Sequence, residues 1–322
     1  MNKITIKGIR VGHFTHLEGA TGVTVILCPE GMVPGVDIRG SATSTRQIDS
    51  LFPGHMVDRV HAVCFAGGSA YGLEAGKGVM RFLEEMGAGM PIRGTTVPIV
   101  PTAVIFDLAL GKPGIRPDED MGYRACIKAG MGRVPEGSVG AGTGATVGKF
   151  FGIEHATKGG IGISRRGLKN GLLVNALVVV NSYGDVKDPE TGDILAGARI
   201  RKKGRKFADT LKLYLRGTKR PLPAFQNTTL GVIMTNARLD KVAASIVSRL
   251  AHGAVVKCVS PAHTIYDGDI IITLASGEID ADHNMVGVLA EAALMDAIRR
   301  AVLLADPVGG IPAANLLKSQ RS

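Results

Sequence analysis

The chain contains no tryptophan, and only 4% of its 322 residues are aromatic. Proteins that bind single-stranded nucleic acid without sequence preference usually stack the bases on aromatic side chains. The sequence therefore predicts no nucleic-acid partner. It also lacks any run approaching the ~18 apolar residues of a transmembrane helix, and the apolar segment of a signal peptide. We expect a soluble protein of the cytoplasm with no membrane partner.

Cysteine is scarce, with four residues at Cys28, Cys64, Cys126 and Cys258. They are far apart, they form no Cys-x-x-Cys pair, and no histidine is placed with them as a zinc ligand. Each lies in an apolar context, which predicts buried free thiols in a reducing compartment. The sequence predicts no metal and no cofactor.

The net charge of +10 comes almost entirely from one segment. Residues 199–220 contain ten Lys or Arg and a single acid, Asp209, so the remainder of the chain carries only +1. A nucleic-acid surface usually spreads its positive charge over one face of a fold. We therefore interpret residues 199–226, which include Pro221 and Pro223, as an exposed basic loop. Contact of this loop with a localised anion or a partner stays open.

Hydrophobic periodicity predicts a mixed α/β protein. Extended segments are predicted at residues 4–9, 21–28, 62–66, 97–108, 150–163, 172–180, 230–234 and 270–274. Helices are predicted at residues 71–86, 117–129, 240–251 and 280–305. The 44 glycines indicate many tight turns and close backbone approaches.

Residues 137–149 form the densest glycine stretch and invite comparison with nucleotide-binding loops. A phosphate-cradling loop ending in Gly148-Lys149 needs glycine at residue 143 and Ser or Thr after the lysine, but Thr143 and Phe150 occupy those positions. The dinucleotide fingerprint fails as well. A turn near a functional site, with backbone amides available to an oxyanion, fits the stretch better.

Asn227-Thr228 stands at the start of a short apolar strand and directly after the basic loop. The Thr228 hydroxyl could attack the Asn227 carbonyl, and hydrolysis of the resulting ester would free an α-amine that then serves the same hydroxyl as base. From these residues alone, a plain strand start is the commoner meaning of Asn-Thr. Asn181 likewise either opens a turn or donates its amide to an oxyanion. Asp267-Gly268-Asp269 either forms a turn or supplies carboxylates that hold an ammonium or orient a nucleophile.

Together, these motifs resemble the self-cleaving L-aminopeptidase/D-esterase group, peptidase family S58, which includes β-peptidyl aminopeptidases and a pantetheine hydrolase. The resemblance extends over nearly the whole chain and includes residues 67–72, with the sequence Gly-Gly-Ser-Ala-Tyr-Gly. It implies a four-layer α/β/β/α sandwich that is similar to N-terminal-nucleophile hydrolases but differs in connectivity. It also implies one domain, residues 1–322, cut into 1–227 and 228–322 and assembled as a homo-oligomer, often a tetramer.

The resemblance implies roles for individual residues. Thr228 would be the nucleophile after the cut at Asn227–Thr228, and Asn181 the oxyanion donor. Asp269 keeps a carboxylate that the family has, whereas Asp267 replaces a hydroxyl, so its role stays open. A tyrosine that some members use would fall within residues 97–107, which contain none.

The implied activity is removal of N-terminal residues from small peptides, amides or esters through an acyl-enzyme. One alternative is a self-cleaving acyltransferase similar to ornithine acetyltransferase. Another is a non-enzymatic protein that binds an anion or another ligand through its basic loop.

Overall fold

A computed structural model describes residues 3–219 and 227–318. The strands within these ranges are β1 Lys3–Ile4, β2 Arg10–His16, β3 Thr21–Gly40, β4 Thr45–Arg46, β5 Val60–Ala66, β6 Met90–Ile92, β7 Thr95–Val97, β8 Thr102–Val104, β9 Gly132–Arg133, β10 Thr146–Val147, β11 Thr157–Lys158, β12 Gly160–Gly167, β13 Leu173–Asn181, β14 Asp185–Lys187, β15 Ile194–Ala196, β16 Thr228–Ala237, β17 Val259–Ser260 and β18 Gly268–Ile279. The α-helices are α1 Ala75–Glu85, α2 Glu119–Ile127, α3 Thr210–Leu215, α4 Lys241–Cys258, α5 His283–Leu303 and α6 Ala314–Lys318. Short 3-10 helices are Ile48–Leu51, Ser69–Glu74, Gly140–Gly142 and Ile153–His155.

The main sheet has the strand order β12-β13-β16-β18-β3-β5-β8-β4, with β2 paired to β3. The 20-residue strand β3 links its two halves. Residues 21–27 of β3 pair with β2, residues 23–27 pair with β5 as well, and residues 33–40 pair with β18. One long strand therefore belongs to both halves of the sheet.

Successive side chains of the central strands point to opposite faces of the sheet, so they pack into two different apolar cores. Leu230, Val232 and Met234 of β16 lie in a core that also contains Phe65 of β5. Ile233 instead joins the core beneath α4 and α5. A third core lies between the other half of the sheet and the helices α1 and α2. The predicted α/β/β/α sandwich is confirmed.

Several predicted elements differ from those observed. The strand predicted at residues 4–9 is limited to β1, and a seven-residue strand begins only at Arg10. Ile4, Ile6 and Ile9 are buried all the same, so their apolar character reflects core packing rather than a strand. Residues 150–156 of the strand predicted at 150–163 contain turns and a 3-10 helix instead. The two-residue strand β11 follows, and β12 begins at Gly160.

Within residues 199–219, the predicted basic loop is not wholly exposed. It contains α3, and Arg199 is buried, with its guanidinium Nε donating to the Ala156 carbonyl at 3.2 Å. Residues 220–226, including both prolines of the predicted connection, lie outside the described residues.

The two longest helices, α4 and α5, pack on the same half of the sheet. Both place alanine-rich faces against it, and α5 buries Ala290, Ala293, Ala297 and Ala301. Within residues 3–219 and 227–318, no helix has both the length and the apolar character to cross a membrane.

We predict that Gly162→Ala lowers the melting temperature. A Cβ at Gly162 would lie 1.8 Å from the Ala297 carbonyl oxygen, so α5 would have to move away from β12. Such overpacking costs about 1–3 kcal/mol. Gly114→Ala is the control, because a Cβ at Gly114 meets nothing within 4 Å. Equal melting temperatures for the two variants would contradict this account of the α5 contact.

Candidate active site

The four predicted site residues lie at one end of three adjacent strands. Antiparallel pairing of β13 and β16 places Asn181 opposite Thr228. Parallel alignment beside β18 places Asp267 opposite Asn227, and Asp269 follows at the start of that strand. Thr228, Asn181, Asp267 and Asp269 are each at most 3% exposed. Residues far apart in sequence thus converge on one buried location.

The Asn227–Thr228 peptide unit is held firmly by its neighbours. The Asn227 carbonyl oxygen accepts hydrogen bonds from the Thr228 hydroxyl at 2.6 Å and from the Gly268 amide at 2.8 Å. The Asn227 amide donates to the Tyr266 carbonyl at 2.8 Å. Two donors on one carbonyl polarise it, and one of them is the hydroxyl that would attack it.

The Asp269 carboxylate contacts the residue that follows Thr228. Its Oδ1 accepts from the Thr229 amide at 2.6 Å, and its Oδ2 accepts from His263 Nδ1 at 2.8 Å. Asp269 therefore fixes the backbone of β16 one residue beyond the candidate nucleophile.

Asp267 holds two neighbouring segments together. Its Oδ1 accepts from the Tyr183 amide at 3.1 Å, and its Oδ2 accepts from the Thr264 amide at 3.0 Å and the Thr264 hydroxyl at 2.6 Å. Burial, and then the nearby Asp269 carboxylate, raise the pKa of Asp267. Its contacts make it an anchor for the strand ends that carry the other site residues.

Both polar atoms of the Asn181 side chain have hydrogen-bond partners. Its Oδ1 accepts from Lys149 Nζ at 2.8 Å and from the Thr146 amide at 3.0 Å, which assigns the oxygen end of the amide. Its Nδ2 donates to the Phe106 carbonyl at 3.3 Å. Donation to a substrate oxyanion would require Nδ2 to exchange this long bond for a stronger one.

Lys149 belongs to the site, although the sequence indicated it only as a failed phosphate-binding lysine. It is 3% exposed, and its Nζ also donates to the Asn181 carbonyl at 3.0 Å. Burial lowers the pKa of Lys149 to about 7, and the charges of Asp267 and Asp107 oppose that shift. The sequence contains one hint, a lysine within the largely apolar residues 145–151, but it does not reveal the distant residues that surround this lysine.

The glycine stretch brings Lys149 into position. Gly148 has φ +72°, and a Cβ there would lie 2.0 Å from the Ala198 amide nitrogen, so only glycine fits. The amides of Gly140 and Ala141 donate to the Thr15 and Thr24 hydroxyls. These amides are satisfied by the protein's own side chains, and the stretch contributes the lysine to the site.

Two further features concern the predictions for this site. Residues 97–107, which contain no tyrosine, contribute the Phe106 backbone carbonyl, which accepts a hydrogen bond from Asn181 Nδ2. His263 was not singled out from the sequence, because its bond to Asp269 depends on an irregular turn.

Among residues 3–219 and 227–318, no group of three or more His, Cys, Asp or Glu side chains is arranged to hold a metal.

Comparison with known proteins gives consistent results. The sequence profile of peptidase family S58 matches residues 2–314. An uncharacterised aminopeptidase of Mycobacterium leprae is 41% identical, over 97% of this chain and 93% of the relative. A 6-aminohexanoate-oligomer endohydrolase of a Kocuria species is 32% identical, over 85% of this chain and 74% of the relative.

The fold also matches a solved structure. L-aminopeptidase D-Ala-esterase/amidase from Ochrobactrum anthropi, described as a variant of the N-terminal-nucleophile hydrolase fold, aligns with a TM-score of 0.72 at 19% identity. The alignment covers 97% of this chain and 88% of that one. The alternative of a non-enzymatic ligand-binding protein is therefore wrong. The chain belongs to peptidase family S58 and is a hydrolase of the aminopeptidase type.

Proposed function

We propose that the chain cuts its own backbone between Asn227 and Thr228 and then uses the new N-terminal threonine to hydrolyse small peptides, amides or esters. The observation that supports this most directly is the buried Asn227 carbonyl, which accepts hydrogen bonds from both the Thr228 hydroxyl and the Gly268 amide. The nucleophile and a fixed oxyanion donor already meet at the bond to be cut.

In the cutting step, Thr228 Oγ1 forms a bond to the carbonyl carbon of Asn227. Neutral Lys149 accepts the hydroxyl proton, and the Gly268 amide stabilises the oxyanion. The carbon–nitrogen bond then breaks as the Thr228 nitrogen takes this proton back from Lys149. Water hydrolyses the resulting ester, which releases the Asn227 carboxylate and regenerates the Thr228 hydroxyl. Support for Lys149 comes from its bonds to Asn181, the residue directly opposite Thr228 in the sheet.

During turnover, the freed Thr228 amine takes the hydroxyl proton and returns it to the leaving amine. Asn181 Nδ2 moves from the Phe106 carbonyl to the substrate oxyanion, which such a donor stabilises by about 3–4 kcal/mol. Asp269 keeps Thr228 and its amine oriented through the Thr229 amide. Water then hydrolyses the acyl-enzyme.

The relatives narrow the substrate class. Some are named aminopeptidases, and others are named for hydrolysis of 6-aminohexanoate oligomers, so an amide bond is common to both. We infer that a small linear amide with a free amino terminus is the substrate, and that a cytoplasmic homo-oligomer of cut protomers is the working form. If an added amino acid gave mainly transfer product, the acyltransferase alternative would replace hydrolysis.

Thr228→Ala should leave the chain uncut, because no hydroxyl remains to attack the Asn227 carbonyl. Intact mass spectrometry under denaturing conditions should show one chain for this variant and a 95-residue fragment, residues 228–322, for the wild type. Thr229→Ala is the matched control and should still be cut, since its buried hydroxyl has no hydrogen-bond partner among the described residues. Cutting of Thr228→Ala at the same bond would disprove the proposed nucleophile.

Lys149→Met should slow cutting by about 100-fold or more, because a general base is lost. Only a neutral amine accepts a proton, so the wild-type rate should rise as the pH passes through about 7, and the variant should lack that rise. Cell-free synthesis followed by gel analysis at several pH values measures both effects.

Lys158→Met is the control for burial. Lys158 is also buried with a pKa lowered to about 7, but its Nζ donates to the Thr143 and Ala145 carbonyls instead of Asn181. If cutting is slowed equally in the two variants, Lys149 supports the fold and is not the general base.

Asp269→Asn should lower kcat by about 10–100-fold, because displaced catalytic groups lose that much. The loss should be similar for a peptide and for an ester without a free amine, since Asp269 acts on the Thr228–Thr229 backbone. Steady-state kinetics on the two substrates measures it. A loss confined to the amine substrate would instead mean that Asp269 binds the substrate ammonium.

A further inference from the structure

A pair of histidines lies behind the Asp269 carboxylate. His263 Nδ1 bonds to Asp269 Oδ2 at 2.8 Å, and His252 Nδ1 bonds to Asp37 Oδ2 at 2.7 Å. The two imidazole rings meet edge to face, with centroids 5.1 Å apart and planes at 86°. Two His–Asp pairs are thus in direct contact, and one of them touches the site.

The four groups come from different parts of the fold. Asp37 lies on β3, His252 on α4 and Asp269 on β18, whereas His263 lies in the connection between β17 and β18. The His252 and Asp269 side chains are 3% and 2% exposed, and the His263 side chain is 20% exposed. The partly buried His263 ring lies between the Asp269 carboxylate and the His252 ring.

The His263 backbone has an unusual conformation. Its φ of +55° is in the left-handed region, which histidine and asparagine occupy more often than most residues do. Strained conformations of this kind persist where the surroundings determine them, and they cluster at functional sites. Here the turn directs the imidazole at Asp269.

We propose that His263 is a positioning residue for the reaction, fixing the Asp269 carboxylate while the Asp37–His252 pair fixes His263. This role rests on the proposed function of Thr228. With Oδ1 on the Thr229 amide and Oδ2 on His263, the carboxylate cannot rotate about its Cβ–Cγ bond without losing both partners. The Thr228 amine released by the cut then meets a carboxylate of defined orientation.

Two substitutions at His263 separate the side chain from the backbone. Gly and Asn both tolerate the left-handed conformation, but only Asn retains an N–H donor near the position of Nδ1. We expect His263→Gly to lower kcat at least 10-fold with little change in KM. His263→Asn should recover kcat to within about threefold of the wild type. Kinetics are normalised to the cut fraction from intact mass, and melting temperatures are recorded alongside.

The second pair is tested with His252→Gln. This variant should lower kcat less than His263→Gly does, and it should cause no further loss when combined with His263→Gly, because His252 acts through His263. His55→Asn is the matched control. His55 lies 3.7 Å from Asp49 in a separate His–Asp pair, and its substitution should leave kcat unchanged.

The outcomes distinguish this inference from the proposed function. Suppose that the wild type is cut at Thr228 and that His263→Gly and His263→Asn are equally active or equally impaired. The positioning role of His263 is then wrong, whereas the proposed role of Thr228 is unaffected. If Thr228→Ala retains activity, the proposed nucleophile is wrong. In that case, loss with Gly and recovery with Asn would still support His263 as the residue that fixes Asp269.

Discussion

The Asn227 carbonyl is the group on which the site depends, because three strands must be in register to surround it. The Thr228 hydroxyl and the Gly268 amide donate to its oxygen, and Asn181 lies across from Thr228 on the opposite side. A slip of one residue between β16 and either neighbour would turn these side chains to the other face of the sheet. The apolar cores on both faces prevent that slip, so packing maintains the geometry around the Asn227–Thr228 peptide bond.

Around this bond the protein buries charge of both signs. Lys149 lies near the carboxylates of Asp267 and Asp107, whose charges favour its protonated form, while burial opposes it. Burial has the larger effect and lowers the pKa of Lys149 to about 7, so the amine can exchange protons near neutral pH.

The sequence predicted the central strands well because their side chains alternate between two cores. Leu230, Val232, Ile233 and Met234 made a short apolar, partly β-branched run, which predicted a buried strand. Residues 5–9 and 150–156 were mispredicted as strand, because apolar residues in packed turns look the same in a sequence as those in strands. The four-layer arrangement followed from the family resemblance and not from periodicity.

For the site, the sequence indicated the residues that end or begin strands, namely Asn181, Thr228, Asp267 and Asp269. It did not indicate Lys149 or His263. The environment of Lys149 is created by Asn181 and Asp267, which are distant in sequence, and burial of a lysine cannot be inferred before those partners are known. His263 depends on a left-handed turn and on Asp37 and His252 behind it. Contacts of this kind exist only once the sheet and α4 have come together.

The strand order has a consequence for the two fragments that a cut before β16 would create. β16 and β18 come from residues after the cut, yet they lie between β13 and β3, which come from residues before it. Neither fragment could leave without opening the middle of the sheet, so the mature enzyme would behave as an interlocked heterodimer. Once melted, it would have to reassemble from two separate chains, and its renaturation would become a bimolecular process that depends on protein concentration.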